Sequence, residues 1–281
     1  MSDTTISAVA APFGRDLDEC FAQIEKLIGE AREQGVDLLV LPEAALGGYV
    51  ETLHGDANPP PAFDRDGPEL RRVAEMAGDM TVCVGFCEDG GDDVRYNAAA
   101  CVHDGSVLYV HRKLHLPLDE GRLTTTGDEL SAFDTPVGRI GMVICYDKAF
   151  PEAARTLALD GAQVLCTLSA WPSSVTNAAP RLEDDRQWRR NELWDRARAA
   201  ENSWIVASSN QTGEFGKLRF LGGARVVGPA GDALAETPSA GGFATVTLDI
   251  AETVEKAREK LSPIRDLRPD TYAEARPLQP A

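Results

Sequence analysis

Three short segments of this chain each end an apolar run on a side chain capable of covalent or acid–base chemistry. Leu39-Val-Leu-Pro-Glu43 stops at a proline and then a carboxylate. His111-Arg-Lys113-Leu-His-Leu-Pro-Leu-Asp-Glu120 carries a lysine and a second glutamate, and Ile144-Cys145-Tyr146-Asp147 ends a buried-looking run on a thiol. Each alone has an ordinary reading: a solvated turn glutamate, a surface lysine, a cysteine used for packing. Together they meet the needs of amide cleavage. A thiol with a pKa of about 8.5 needs a base, and a carboxylate can supply one where no histidine is placed to do so. The tetrahedral intermediate bears an oxyanion, which a cation and backbone N–H donors stabilise.

Such residues act only if the fold gathers them, so the elements that carry them matter next. Apolar periodicity predicts a strand over 6–11, an amphipathic helix over 17–34 and a buried strand over 36–41 that ends at Pro42. A helix over 68–78 and strands over 81–87, 94–103 and 106–111 follow, with Asp89-Gly-Gly-Asp-Asp as a hairpin turn. After a loop over 114–135, the pattern gives a strand over 138–145, a helix over 152–160 and a strand over 164–169. A long charged helix over 182–202, strands over 204–209, 220–227 and 242–248, and a helix over 250–261 complete the order. All three reactive segments sit at or just past strand ends, where sites in α/β proteins gather. Hairpin-spaced strands mixed with strand–helix alternation point to a layered α/β sandwich and not a purely parallel sheet. With no internal repeat and no low-complexity linker, one domain over 1–262 is expected, followed by a Pro- and Arg-bearing tail over 263–281.

Composition narrows the function classes. A chain of 281 residues, 43% hydrophobic and 26% charged, can bury a large core without metal or disulfide staples. The net charge of −17 argues against nucleic acid and against an anionic membrane surface, both of which reward basic patches. No apolar run is long enough to span a bilayer. Met1-Ser-Asp-Thr-Thr lacks the basic-then-apolar order of a signal peptide, so a cytoplasmic location is expected, with Cys20, Cys83, Cys87, Cys101, Cys145 and Cys166 as free thiols. Cys83 and Cys87 are four apart in an extended segment, which is not zinc-knuckle spacing, and no metal site is expected.

At this point the residues resemble a known family. Leu-Pro-Glu43 with Gly48-Tyr49, Arg112-Lys113-Leu-His-Leu, Cys145-Tyr-Asp with Pro151-Glu-Ala-Ala-Arg155, and Arg196-Ala-Arg-Ala-Ala-Glu-Asn202 are similar to the motifs of the nitrilase superfamily, in the same order, over residues 5–250. The resemblance implies a four-layer α-β-β-α sandwich and a homodimer or higher homo-oligomer paired across helices, with the tail lying on the partner. It implies Glu43 as general base and acid, Lys113 with the backbone N–H of Tyr146 as oxyanion stabilisers, and Cys145 as nucleophile, with no cofactor. Glu120 matches a second glutamate that positions substrate or holds the lysine, and Glu129 is its nearby alternative. Cys145-Tyr-Asp resembles the amidase and carbamoylase branches more than the Cys-Trp-Glu of true nitrilases. The substrate expected is therefore a small amide or, alternatively, an N-carbamoyl compound; acyl transfer and a silent binding module are lesser readings. Lys148 matches a position where some carbamoyl-amino-acid hydrolases place an arginine for the substrate carboxylate, or is a surface lysine. Tyr49 and Trp171 are expected to line the pocket. The helix over 186–202, rich in Arg, Trp and interleaved acids, reads as salt-bridged with an apolar stripe that packs at a subunit contact.

Overall fold

The computed structural model describes residues 3–272. In chain order the elements are β1 Thr4–Ala11, α1 Leu17–Glu33, β2 Leu38–Val40, α2 Pro68–Ala77, β3 Thr81–Asp89, β4 Arg95–His103 and β5 Ser106–Arg112, followed by β6 Phe133–Thr135 and β7 Gly138–Ile144. Then come α3 Pro151–Leu159, β8 Val164–Leu168, α4 Arg186–Asn202, β9 Ile205–Ser208, β10 Asn210–Gln211, β11 Glu214–Phe215, β12 Leu218–Arg219, β13 Arg225–Val227, β14 Ala233–Glu236, β15 Gly242–Leu248 and α5 Ile250–Lys260.

Two sheets form. One runs β10-β1-β2-β3-β4-β5, with β15 also on β1, and the other runs β14-β13-β9-β8-β7-β6. Strand alternation decides what each face meets. Ile6, Ala8 and Ala10 of β1 point between the sheets, onto Ile140, Met142 and Ile144 of β7 and their neighbours on β8 and β9. Val9 and Ala11 point the other way, into the core made with α1 and α2. On the far side Val143 and Leu165 meet Ala154 and Leu157 of α3, Ala199 of α4 and Val254 of α5. The order of layers is helix, sheet, sheet, helix: the four-layer α-β-β-α sandwich.

The ladders put the reactive segments on one side. β1, β2 and β3 are parallel, and β4 then reverses so that β5 again runs with them. β7, β8 and β9 are parallel to one another. Glu43 and Lys113 follow the carboxyl ends of β2 and β5, and Cys145 follows that of β7.

Several expected boundaries move. The strand expected over 220–227 survives only as β13, because Gly222 and Gly223 take φ of +68° and +72°. The helix expected from 182 starts at Arg186, where Asp185 caps it by accepting from the Gln187 N–H; Leu182–Asp184 is a separate 3₁₀ turn. The loop over 114–135 holds a 3₁₀ turn, Leu118–Arg122, and β6. The buried stripe of α4 is polar, not apolar: Asn191, Asp195, Arg198 and Asn202 face inward with Ala199. Past residue 262, Ile264 packs against the helical layer of its own chain. Residues 273–281 of the expected tail lie outside the described residues. Among the described residues no helix is long and apolar enough to cross a membrane.

One close approach couples sheet to site. A Cβ on Gly85 of β3 would overlap the Ala44 backbone nitrogen and lie 2.7 Å from Glu43 Cα. Gly85→Ala should therefore destabilise the protein by about 1–3 kcal/mol in urea unfolding and lower turnover by displacing Glu43. An unchanged urea midpoint together with full activity would contradict this packing.

Candidate active site

Glu43 is placed by the way β2 stops. Leu41 N–H donates to the Cys83 carbonyl, continuing the ladder. Pro42 then has no N–H to offer, and Ala44 turns the chain at φ +53°. The carboxylate ends fully buried. Its Oε1 accepts from Lys113 Nζ at 2.8 Å and Asn97 Nδ2 at 2.7 Å, and its Oε2 accepts from the Ala170 N–H at 2.6 Å. Gln211 Nε2 donates to the Glu43 carbonyl at 2.9 Å, holding the backbone beneath.

Lys113 enters from the end of β5, its backbone N–H tied to the Asn97 carbonyl. Its ammonium is buried and also meets Glu120, at 2.8 Å to Oε2 and 3.1 Å to Oε1. Asn97 Nδ2 bridges the two carboxylates, reaching Glu120 Oε1 at 2.6 Å. Tyr49 Oη donates to Glu120 Oε2 at 2.9 Å. Burial alone would strip the proton from Lys113, but Glu120 and Glu43 override it and hold the ammonium above the usual lysine range. Burial raises the Glu120 carboxyl above its ordinary value. Glu129, the alternative to Glu120, lies elsewhere: it is exposed and bonded to Ser131 Oγ.

Cys145 follows β7 in the left-handed region, at φ +50°, and opens the 3₁₀ turn Cys145–Ala149. A non-glycine residue there costs on the order of 1–2 kcal/mol, so the surroundings must enforce it. Asp147 does so. Its Oδ2 accepts from the Ile144 N–H at 3.1 Å, and its Oδ1 from the Leu114 and His115 N–H groups at 3.2 and 2.8 Å. The rings of His115 and His111 approach the same carboxylate at 2.8 and 3.4 Å. One buried carboxylate thus pins the cysteine turn to the segment bearing Lys113. Despite burial, the two histidines hold Asp147 well below the usual aspartate range.

The Cys145 thiol interacts with the Glu43 carboxyl and the Ala170 N–H, and Lys113 lies close enough to act on its charge. Burial and the Glu43 charge push the thiol well above an ordinary cysteine, so it rests protonated beside a base. As the second residue of a 3₁₀ turn, Tyr146 presents an N–H ahead of the first intrahelical acceptor. The thiol opens on a cavity of about 400 Å³, walled by Tyr49, Leu116, Tyr146, Trp171 and Trp194 among others.

Lys148 is not a surface lysine. It is 1% exposed, its Nζ bonded to Asp195 at 2.8 Å and set 5.6 Å from the Trp171 ring, and it does not line the cavity. Arg225 joins the same Asp195 at 2.6 Å. Burial lowers the Lys148 pKa against the pull of Asp195. The position is internal because α4 lays its polar stripe over the cysteine turn, with Arg198 donating to the Lys148 carbonyl at 2.8 Å.

Four participants gave little or no sign of themselves in the sequence. Asn97 interrupts an apolar strand, which is the one local signal it gives. Asp147 stands inside the Cys-Tyr-Asp motif without an assigned role. The Ala170 N–H and Gln211 carry no side-chain signature of their partnership with Glu43. The six cysteines are free thiols.

Comparison with known proteins agrees with this geometry. Residues 5–258 match the carbon–nitrogen hydrolase family. An N-carbamoylputrescine amidase from Arabidopsis thaliana is 27% identical, the match covering 96% of this chain and 94% of that one. A carbon–nitrogen hydrolase structure from Helicobacter pylori G27 superposes with a TM-score of 0.80 at 22% identity, covering 96% and 97% of the two chains. A glutamate-to-glutamine mutant of the Nesterenkonia sp. AN1 amidase superposes with a TM-score of 0.73 at 25% identity, covering 92% and 97%; in it the acetamide moiety of fluoroacetamide is covalently added at the active-site cysteine.

Asp147 offers a direct check. Asp147→Asn turns one accepting oxygen into a donor facing other donors, and should destabilise by about 2–4 kcal/mol in denaturant unfolding. The folded pKa is depressed, so the stabilisation is present above an unfolded aspartate value of about 3.9 and is lost as pH falls below it. Wild-type stability should fall more steeply than the variant's between about pH 5 and pH 3. Parallel pH profiles for the two proteins would refute the role of this carboxylate.

Proposed function

The chain belongs to the carbon–nitrogen hydrolase family, and we propose that within it Cys145 is the nucleophile, Glu43 the general base and acid, and Lys113 the oxyanion-stabilising cation for cleavage of a small linear amide. The observation that carries this reading is that the buried Cys145 thiol, which lines the cavity, interacts with the Glu43 carboxylate buried behind it, itself 2.8 Å from the buried Lys113 ammonium.

Glu43 takes the thiol proton as sulfur attacks the carbonyl carbon and the carbonyl π pair moves onto oxygen. Lys113 and the Tyr146 N–H receive the oxyanion. The three Lys113 donors already face Glu43 and both oxygens of Glu120, so the oxyanion would replace one of the two Glu120 contacts while the other keeps the ammonium oriented. Collapse of the intermediate expels the amine, which leaves with the proton from Glu43, and a thioester remains. Water attacks that thioester with Glu43 accepting its proton; the acid departs and the thiol is restored. Because the thiol rests protonated, general-base assistance is a requirement of the first step.

An N-carbamoyl substrate is the second reading, supported by the likeness to the Arabidopsis enzyme. The carbonyl carbon would then leave as carbon dioxide. Acyl transfer from the thioester to an amine is chemically open to the same site. We also propose a cytoplasmic homodimer paired across helices. Leu159 at the end of α3, Leu193 on α4 and Leu261 after α5 are 58%, 63% and 75% exposed on the outer helical layer, an apolar set that pairing would cover.

Two measurements test these proposals. Ammonia release from an amide panel should fall at least ~10³-fold in Cys145→Ala; normal turnover by that variant would refute the mechanism, and carbon dioxide alongside ammonia would favour the carbamoyl reading. Sedimentation equilibrium should give twice the chain mass, with Leu193→Glu shifting it toward the monomer. A wild-type monomer at micromolar concentration would refute the pairing.

A further inference from the structure

Arg190 is the one formally charged side chain among the described residues lining the catalytic cavity. Its guanidinium makes no hydrogen bond or ion pair with any described residue; it lies 5.8 Å from the Trp194 ring centroid. Arg186, Arg196 and Arg198 of α4 are engaged, with Ser174 and Thr176, with Glu192 and with Glu201, whereas Arg189 is exposed and does not line the cavity. Gln187, Arg190 and Trp194 stand three and four residues apart, so they share the face of α4 that looks onto the cavity.

An aromatic wall links this cation to the thiol. Tyr146, next to Cys145, lies 6.4 Å from Trp171, and Trp171 lies 5.2 Å from Trp194, which in turn adjoins Arg190. A ligand acylating Cys145 and lying along this wall would bring its far end to Arg190. The ring faces suit an apolar spacer, and an arginine fork suits a carboxylate. Among the described residues no second cation lines the cavity, so the site matches a single negative charge. A terminal ammonium would meet a like charge there.

We propose that Arg190 binds the terminal carboxylate of the substrate, so that the preferred substrates are ω-acid amides, or their N-carbamoyl analogues, with an apolar spacer lying along Trp171 and Trp194. This rests on the amide-hydrolysis reading for its chemistry, but it can be tested through binding alone.

The probes are suberic acid monoamide, octanamide and 8-aminooctanamide, titrated against the full chain carrying Cys145→Ala and read by tryptophan fluorescence. The acid should bind at least about fivefold tighter than the neutral amide, and the ammonium compound weakest. The gap should narrow in ~1 M salt, because Arg190 is exposed. In the same background Arg190→Lys should keep part of the preference, and Arg190→Glu should reverse the order. Equal binding of the acid and neutral amides, or a preference untouched by Arg190→Glu, would overturn the proposal. Ammonia release with Cys145 intact separates the two readings. Turnover without acid preference refutes the Arg190 site alone, whereas acid-selective binding without turnover refutes amide hydrolysis alone.

Discussion

A single buried ammonium organises this protein's chemistry. Lys113 lies between Glu43 and Glu120 with no access to water, its ammonium 2.8 Å from each carboxylate. An isolated buried charge is prohibitively unfavourable, so the three groups must be held as a set, with Asn97 tying the two carboxylates together. In the proposed reaction this arrangement would keep one cation beside a developing oxyanion and one carboxylate beside the thiol. Positioning of that quality in a dry site is what electrostatic stabilisation of a transition state requires.

The rest of the fold can be understood as what holds this set rigid. Two sheets face each other so that the carboxyl ends of β2, β5 and β7 converge, and the α1–α2 and α3–α4 layers close their outer faces. The cysteine turn is strained at φ +50°, and Asp147 holds it while also gripping the Lys113 segment. Behind the turn, Lys148, Asp195 and Arg225 form a second buried ionic group that anchors α4. The polar inner stripe of α4 is thus a scaffold for the catalytic turn, while the next face of the same helix lines the cavity.

The overall acidity of the chain has little bearing on its substrate. A net charge of −17 is spread over the surface, whereas the cavity carries one arginine at its lining and apolar walls between that arginine and the thiol. Local field, not total charge, decides which ligand end is welcome.

The strand ends bearing Glu43, Lys113 and Cys145 were legible in the sequence because a strand must bury an apolar run and a proline or turn must stop it. The helix-sheet-sheet-helix layering followed from the mix of hairpin and helix-linked strands together with the family resemblance. Short elements such as β10–β12 and β14 were not legible, since two to four residues give no periodicity, and the Gly222–Gly223 break in β13 depends on backbone angles that composition does not reveal. Lys148 could not be placed from its neighbours alone: whether a turn lysine meets water or a carboxylate depends on α4, some forty residues further along. Asn97, the Ala170 N–H and Arg190 likewise gain their roles only from what folding brings beside them. Local pattern determines which residues end which strand; the partner a buried charge finds is a long-range pairing, and only the packed tertiary structure decides it.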